Sequence, residues 1–266
     1  MPERSVRQPA VAGQFYPADP ERLERAVQEN IRKASLPAHL GQVRAVIAPH
    51  AGYVYSGRTA GYAFKALNQL PERMRTVFLL GPCHRVPVRG VALGNYSAFR
   101  TPLGDVPIAV DRVDDMLSSA PFYTRAPGAH EPEHCLEVEV PFLQMSLVTF
   151  ELVPMLFGEV EPRKVADDLI DRIGEDDLIV VSSDLSHFHT YDRAQQRDQA
   201  FLKALLDGNE RGVRSGEACG RAPVTTLMDI GERKGWTPQL LDYRNSGDTA
   251  GDRSRVVGYA SVVYSS

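Results

Sequence analysis

The sequence predicts a single α/β domain, a mixed and mostly parallel sheet flanked by helices, spanning residues 1–266. Three observations predict it. Short runs rich in Val, Ile and Leu, each closed by a turn signal, alternate with stretches whose apolar residues recur at helical spacing. The order strand, loop, helix, strand occurs twice, the βαβ pattern that favours parallel pairing with a right-handed crossover. No linker interrupts the chain, and 266 residues suit one large domain with a sizeable core.

Taken in order, Gln14 to Pro17 with Asp19 and Pro20 form a turn that caps a helix, Asp19 as N-cap and Pro20 in the first helical position. Leu23, Val27 and Ile31 then make one apolar stripe as far as about Lys33. The run from Val43 to Ala48 reads as a buried strand that Pro49 stops, with Gly52 and Gly57 around its exit loop. Thr59 to Leu70 is predicted helical, and TVFLLGPCH (Thr76 to His84) is a second strand, expected beside the first. Gly90 to Gly94 reads as a short strand, Tyr96 to Pro107 as loop or hairpin, and Asp111 to Ser119 as a short helix.

In HEPEHCLEVEVPFLQMSL, residues Glu131, Pro132 and Glu133 read as the first turn of a helix, with acidic groups at the positive end of its dipole. His130, His134 and Glu137 would then share one side, although Pro141 interrupts the pattern. Glu151 to Phe157 is a buried strand, and Pro154 within it predicts an edge or a bulge. An amphipathic helix from Pro162 to Ile173 leads into the strand Leu178 to Ser182, and Tyr191 to Leu206 is helical with Gly208 closing it. A further helix is expected to start near Pro223. The β-like runs Gln239 to Tyr243 and Val256 to Tyr264 flank NSGDTAGD, which reads as a loop too polar to be buried.

Composition excludes several classes of function. A formal charge of −4 without a basic cluster gives no reason to expect nucleic acid. The amino-terminal stretch lacks the apolar core of a signal peptide, and no run approaches the roughly 18 apolar residues of a membrane span; a cytoplasmic protein is the expectation. Cys83, Cys135 and Cys219 are odd in number and widely spaced, which argues against a disulfide framework. Neither G-x-G-x-x-G nor G-x-x-x-x-G-K-[ST] occurs, so the usual nucleotide enzymes are not indicated.

What the sequence does supply is a recurring design. Three apolar runs each deliver a histidine just past the strand end: His50, His84, and His187 with Asp184 three residues before it. Open α/β sheets place their ligand crevice at that edge. Neutral imidazoles there can bind a transition metal or act as acid and base, and each can equally be an ordinary hydrogen-bonded residue. Asp184 can orient an imidazole, ligate a cation or cap its turn. Cys219 is either a small buried hydrophobe or, as thiolate, a soft ligand or nucleophile. Cys83, beside His84, either adds a second thiol to the site or is a small core residue, the latter being expected, and His39 and His189 are expected on the surface. Tyr53 and Tyr55 either line a cleft or pack on a neighbouring helix, and His134 is expected to face inward more than His130.

The segments PAVAGQFYPADPERL, VIAPHAGYVYSG, LLGPCH, EHCLEVEVPFL, VVSSDLSH, CGRAPV and VVGYASVVY together resemble the Memo family, which includes the Memo-like component of the AmmeMemoRadiSam set. The resemblance runs from about residue 8 to 264. It implies a fold similar to class III extradiol dioxygenases, with a metal-type pocket at the strand ends. By motif it carries over His50, His84 and Cys219 as metal ligands, and Asp184 and His187 as the pair that orients and moves a proton. Tyr53 and His134 are expected to touch substrate. The implied cofactor is iron or copper, with zinc also compatible. The implied activity is that of a dioxygenase-like oxidoreductase; the alternative is a non-catalytic protein that sequesters metal or binds a phosphopeptide or other anionic ligand. A thiolate third ligand would favour Cu(I) or Zn(II), whereas Asp184 in its place would restore a two-His-one-carboxylate set. Expected partners are a small-molecule or peptide ligand and a second copy of the chain, with neither nucleic acid nor membrane. The chain departs from the family pattern at Cys83, where Ser is commoner, and at Glu139, where eukaryotic members carry His. Hydrolytic zinc chemistry finds no H-E-x-x-H to support it.

Overall fold

The structure, a computed structural model, describes residues 4–266; Met1 to Glu3 of the amino-terminal stretch lie outside the described residues. An amino-terminal arm supplies β1 (Ser5–Arg7) and then α1 (Pro20–Lys33). Asp19 caps α1 by accepting from the Arg22 amide, Pro20 sits in its first turn, and Leu23, Val27 and Ile31 form its buried stripe, as the sequence predicts. β2 (Val43–Ala48) is followed by α2 (Tyr53–Leu67), which begins at Tyr53 rather than Thr59 and ends before Leu70. The glycine that reads as a loop signal, Gly57, lies inside this helix because a Cβ there would meet the Asn30 side chain of α1 at 2.6 Å.

The chain continues through β3 (Arg75–Pro82), β4 (Val91–Leu93), a hairpin of β5 (Tyr96–Thr101) and β6 (Gly104–Pro107), α3 (Val110–Ser119), β7 (Tyr123–Arg125) and the short α4 (Pro127–His130). A 3-10 turn at Glu137–Glu139 leads into α5 (Val140–Ser146) and β8 (Phe150–Phe157). Then come α6 (Pro162–Arg172), β9 (Leu178–Ser182), β10 (His187–His189), α7 (Tyr191–Leu206), α8 (Glu210–Ser215) and α9 (Arg221–Lys234). β11 (Thr237–Asn245), α10 (Ser246–Thr249) and β12 (Val256–Ser265) close the chain.

The main sheet runs β10-β12-β2-β9-β3-β8-β4-β7, with β11 pairing along β12, while β1, β5 and β6 form a small second sheet. Its central four strands, β2, β9, β3 and β8, are all parallel, and β12 and β4 join antiparallel on either side. Every residue of β3 and β9 is buried, which is why their sequences read as unbroken apolar runs rather than alternating ones. No helix among the described residues is long and apolar enough to cross a membrane.

Four expectations need correction. β2 and β3 are not neighbours: β9, arriving later in the chain, is inserted between them and pairs with both. Pro154 marks neither an edge nor a bulge, for β8 lies between β3 and β4. β4 pairs only with Met155, Leu156 and Phe157, and Leu152 bridges Ile108, so the proline sits in the gap between those pairings, where its missing N–H removes no ladder bond. No helix starts at Glu131; the chain there is a turn, and helix resumes only with the 3-10 turn and α5. The segment NSGDTAGD is partly buried, because Asn245 and Asp248 make a capping box that satisfies the first turn of α10 internally.

Candidate metal centre

Because β2, β9 and β3 are parallel and adjacent, their carboxyl ends open side by side on one edge of the sheet. β2 stops at Ala48 and Pro49 turns the chain, and the His50 amide then donates to Asp184 Oδ1 at 2.8 Å just beyond the end of β9. β3 stops at Pro82, and the His84 amide donates to Glu133 Oε2 at 2.6 Å. The turn carrying Glu133 and His134 lies over that strand end because Gly81 has no side chain. A Cβ there would meet Cys135 Sγ at 2.7 Å and Leu136 Cδ2 at 2.8 Å.

The result is a cluster of three imidazoles. The His50 and His84 rings are 5.2 Å apart between centroids, His50 and His134 5.4 Å, and His84 and His134 5.0 Å. Each of the three offers a ligand atom, and these atoms all lie within 4.8 Å of one another. Two bonds of about 2.1 Å to a shared ion span at most about 4.2 Å, so a small side-chain adjustment would let the set close on a metal. A second set, His84, Glu133 and Cys135, meets the same criterion and shares His84 with the first.

Glu133 backs two of the imidazoles. Its Oε1 lies 2.9 Å from His84 Nδ1 and 3.1 Å from His134 Nδ1, and it accepts from the amides of His134 and Cys135 at 3.0 and 3.2 Å. Burial alone would raise its pKa, but the contacts from His134, His84 and the His84 amide outweigh that and hold the carboxyl well below the usual range. With its Nδ1 bonded to the carboxylate, His84 presents Nε2 outward, the arrangement by which proteins orient histidine ligands, whereas His134 Nδ1, though near the same oxygen, has no hydrogen-bond partner among the described residues. His50 is turned the same way by Ser182, whose Oγ lies 2.8 Å from its Nδ1. Burial, then the neighbouring His84 and His134, push the His50 pKa well down, so it is a neutral imidazole able to ligate. The donor set therefore fits an ion of the kind that binds imidazole.

The other predicted residues fall into place around this cluster. Cys219, just ahead of α9, packs its Sγ 3.2 Å from His50 Nε2 and stands beside the three-imidazole set. Burial, then the Asp184 carboxylate, push its thiol up to about 12, so it carries a proton. Asp184 holds the backbone at His50 and is itself pushed up to about 7, chiefly by burial. His187, half-buried on β10, has its pKa lowered by burial first and also by the charge of His84. Tyr53 is packed at the start of α2: its hydroxyl donates to the Val138 carbonyl at 2.7 Å and its ring packs on Phe142 and Tyr16. His130 is separate from the cluster, buried with its Nε2 donating to the Ala92 carbonyl at 3.0 Å.

Sequence reasoning left out Glu133 as a partner of the histidines, Ser182 behind His50, and Phe15, whose ring lies 4.9 Å from that of His134. The one available signal was adjacency, a glutamate immediately before His134, and a helix dipole explained it equally well. Beside the cluster runs a cleft of about 910 Å³ lined by Cys83, Arg89, Glu159, Arg214, Cys219 and Arg221. Arg214 is paired with Glu161 and Glu210, whereas Arg221, also in the lining, donates to the backbone carbonyls of Arg214 and Gly216 and has no carboxylate partner among the described residues.

Fold and site together define a mixed α/β protein whose strand ends carry a three-histidine cluster backed by a buried carboxylate. The chain belongs to the Memo family: the family model described as Memo-like protein matches residues 7–263. Among curated relatives, it is 36% identical to a MEMO1 family protein of Archaeoglobus fulgidus, over 97% of this chain and 99% of that one. It is 33% identical to a MEMO1 family protein of Methanosarcina mazei, over 97% of this chain and 98% of that one. Among solved structures, the uncharacterized protein JW3007 from Escherichia coli K12 superposes with a TM-score of 0.52 at 12% identity, covering 84% of this chain and 99% of that one, a likeness of fold alone.

Proposed function

We propose that the protein is a non-haem, metal-dependent oxidoreductase of dioxygenase-like type that holds iron or copper through His50, His84 and His134. The observation that carries this reading is the meeting of three imidazole ligand atoms within 4.8 Å at one sheet edge. Iron or copper held in such a set supplies redox chemistry and open positions for oxygen or substrate. Zinc suits the same donors.

The chain's own residues do the rest. Glu133 fixes the His84 ring and Ser182 the His50 ring with Nε2 outward, and the Glu133 carboxylate stands beside the His134 ring. Asp184 ties the His50 loop to the end of β9, so the ring cannot swing away with its backbone. His187, neutral because burial lowers its pKa, is the base that takes a proton from a substrate hydroxyl. Cys219 donates its S–H toward His50 Nε2 and must lose that proton to serve as a ligand, so its part in metal binding is pH-dependent.

The test is oxygen uptake by protein purified without oxygen and loaded with Fe(II), across a panel of catechols and hydroxylated small acids. Uptake is expected with at least one of them, abolished in His50→Ala and reduced on the order of 10²-fold in His187→Gln with metal content retained. Metal retained without uptake on any substrate favours a second reading, a non-catalytic protein that sequesters metal or holds an anionic ligand. The arginine-lined cleft is what favours that reading, since Arg89 and Arg221 stand against a single glutamate, Glu159, in a chain of net charge −4.

A further inference from the structure

Behind His50, three buried groups meet at one oxygen. Ser182 Oγ lies 2.8 Å from His50 Nδ1, 2.7 Å from the Cys135 carbonyl oxygen and 2.8 Å from Glu139 Oε1. Ser182, His50 and Glu139 are all 2% exposed or less. A hydroxyl has one proton and two lone pairs, and a carbonyl oxygen can only accept. The Ser182 proton therefore goes to Cys135. The remaining two contacts must each bring a proton to Ser182, one from an Nδ1–H of His50 and one from Glu139 as a carboxylic acid. Any other assignment sets lone pairs face to face at under 3 Å and leaves a buried group unsatisfied.

A second observation agrees. Glu139 Oε2 has no hydrogen-bond partner among the described residues. The carbonyl oxygen of a neutral acid tolerates that far better than half of a carboxylate does. Burial, working against the Ser182 contact, pushes the Glu139 carboxyl well above its usual range.

We propose that Glu139 is a buried neutral carboxylic acid acting as a positioning residue, which through Ser182 locks His50 in the Nδ1–H tautomer and leaves Nε2 without a proton of its own, an acceptor toward the cluster and the Cys219 thiol. The cluster is thus backed by two unlike acids: an ionised Glu133 behind His84 and His134, and a neutral Glu139 behind His50. A carboxylate in the second position would favour protonation of the His50 ring, and an imidazolium cannot ligate. The use made of Nε2 rests on the metal reading above; the proton assignment does not.

The experiment is therefore done first on metal-free protein. Nitrogen-15 NMR of histidine-labelled chain is expected to show His50 as the Nδ1–H tautomer in wild type and in Glu139→Gln, whose amide still donates to Ser182, and as a tautomer mixture in Ser182→Ala. The infrared difference between wild type and Glu139→Gln is expected to show a protonated-carboxyl band that belongs to Glu139. Zn(II), used as a redox-silent probe, is expected to bind 10- to 100-fold more weakly to Ser182→Ala and with unchanged affinity to Glu139→Gln. An Nε2–H tautomer in wild type, or a carboxylate band lost in Glu139→Gln, overturns the proposal. Should Ser182→Ala fail to fold, the wild-type tautomer and the infrared difference decide it. Failure of wild type to bind Zn(II) counts against the metal reading and leaves the proton assignment standing.

Discussion

His130 and His134 are four residues apart and have opposite surroundings. His134 is part of the cluster, while His130 is fully buried against Ala92, and its pKa is lowered to about 4, by burial first and by Arg7 as well. The native protein therefore binds fewer protons at His130 than the unfolded chain does between about pH 4 and the ordinary value of 6.5, and stability falls as pH drops through that window. Urea unfolding at pH 7 and pH 4 is expected to show wild type losing about 3 kcal/mol more than His130→Gln, which keeps the donor and does not titrate. Equal losses would mean that His130 is not held neutral. At this scale the strand-end residues were legible because Pro49, Pro82 and the flanking glycines punctuate the apolar runs. Glu133, Ser182 and Glu139 were not, since nothing local tells which way a carboxylate or hydroxyl in a loop or at a strand end points; the partner across the fold decides it.

Elements were legible where one periodicity ruled, as in α1 with its cap and stripe, or in the unbroken apolar runs of β3 and β9. They were misread where tertiary contact overrode local signal. α2 is the clearest case: Gly57 looks like a breaker in sequence, yet it and Gly61 lie inside the helix where α1 approaches. A Cβ at Gly61 would stand 2.4 Å from the Asn30 carbonyl oxygen and 3.1 Å from the Ile31 amide nitrogen. Replacing a glycine in a helix interior with alanine ordinarily stabilises by about 1 kcal/mol. Here the overlap is with backbone, which cannot rotate away, so Gly61→Ala is expected to destabilise by about 1–3 kcal/mol in chemical denaturation. A stabilised variant would show that α1 and α2 are not in this contact. Strand order was the other blind spot: that β9 would insert between β2 and β3 is a long-range pairing that no window of sequence contains.

Across the whole molecule, the site is assembled from pieces far apart in the chain and then tied shut by the amino-terminal arm. Arg7, buried, donates to the carbonyls of His130 and Glu133 at 3.0 and 2.6 Å and pairs with Glu137, whose carboxylate in turn accepts from the amides of Ala10 and Val11 and from the Tyr16 hydroxyl. The turn bearing Glu133 and His134 is thus held from outside by the arm and from inside by the end of β3. This explains how a segment without helix of its own can present an imidazole as rigidly as a strand end does. On the reading proposed above, His134 rather than Cys219 is the third ligand beside His50 and His84. X-ray absorption at the metal edge of protein loaded with one equivalent of Fe(II) without oxygen tests this most directly. Three imidazole ligands are expected in wild type and in Cys219→Ala, and two in His134→Ala; a wild-type shell of two imidazoles and one sulfur, unchanged by His134→Ala, would contradict the account.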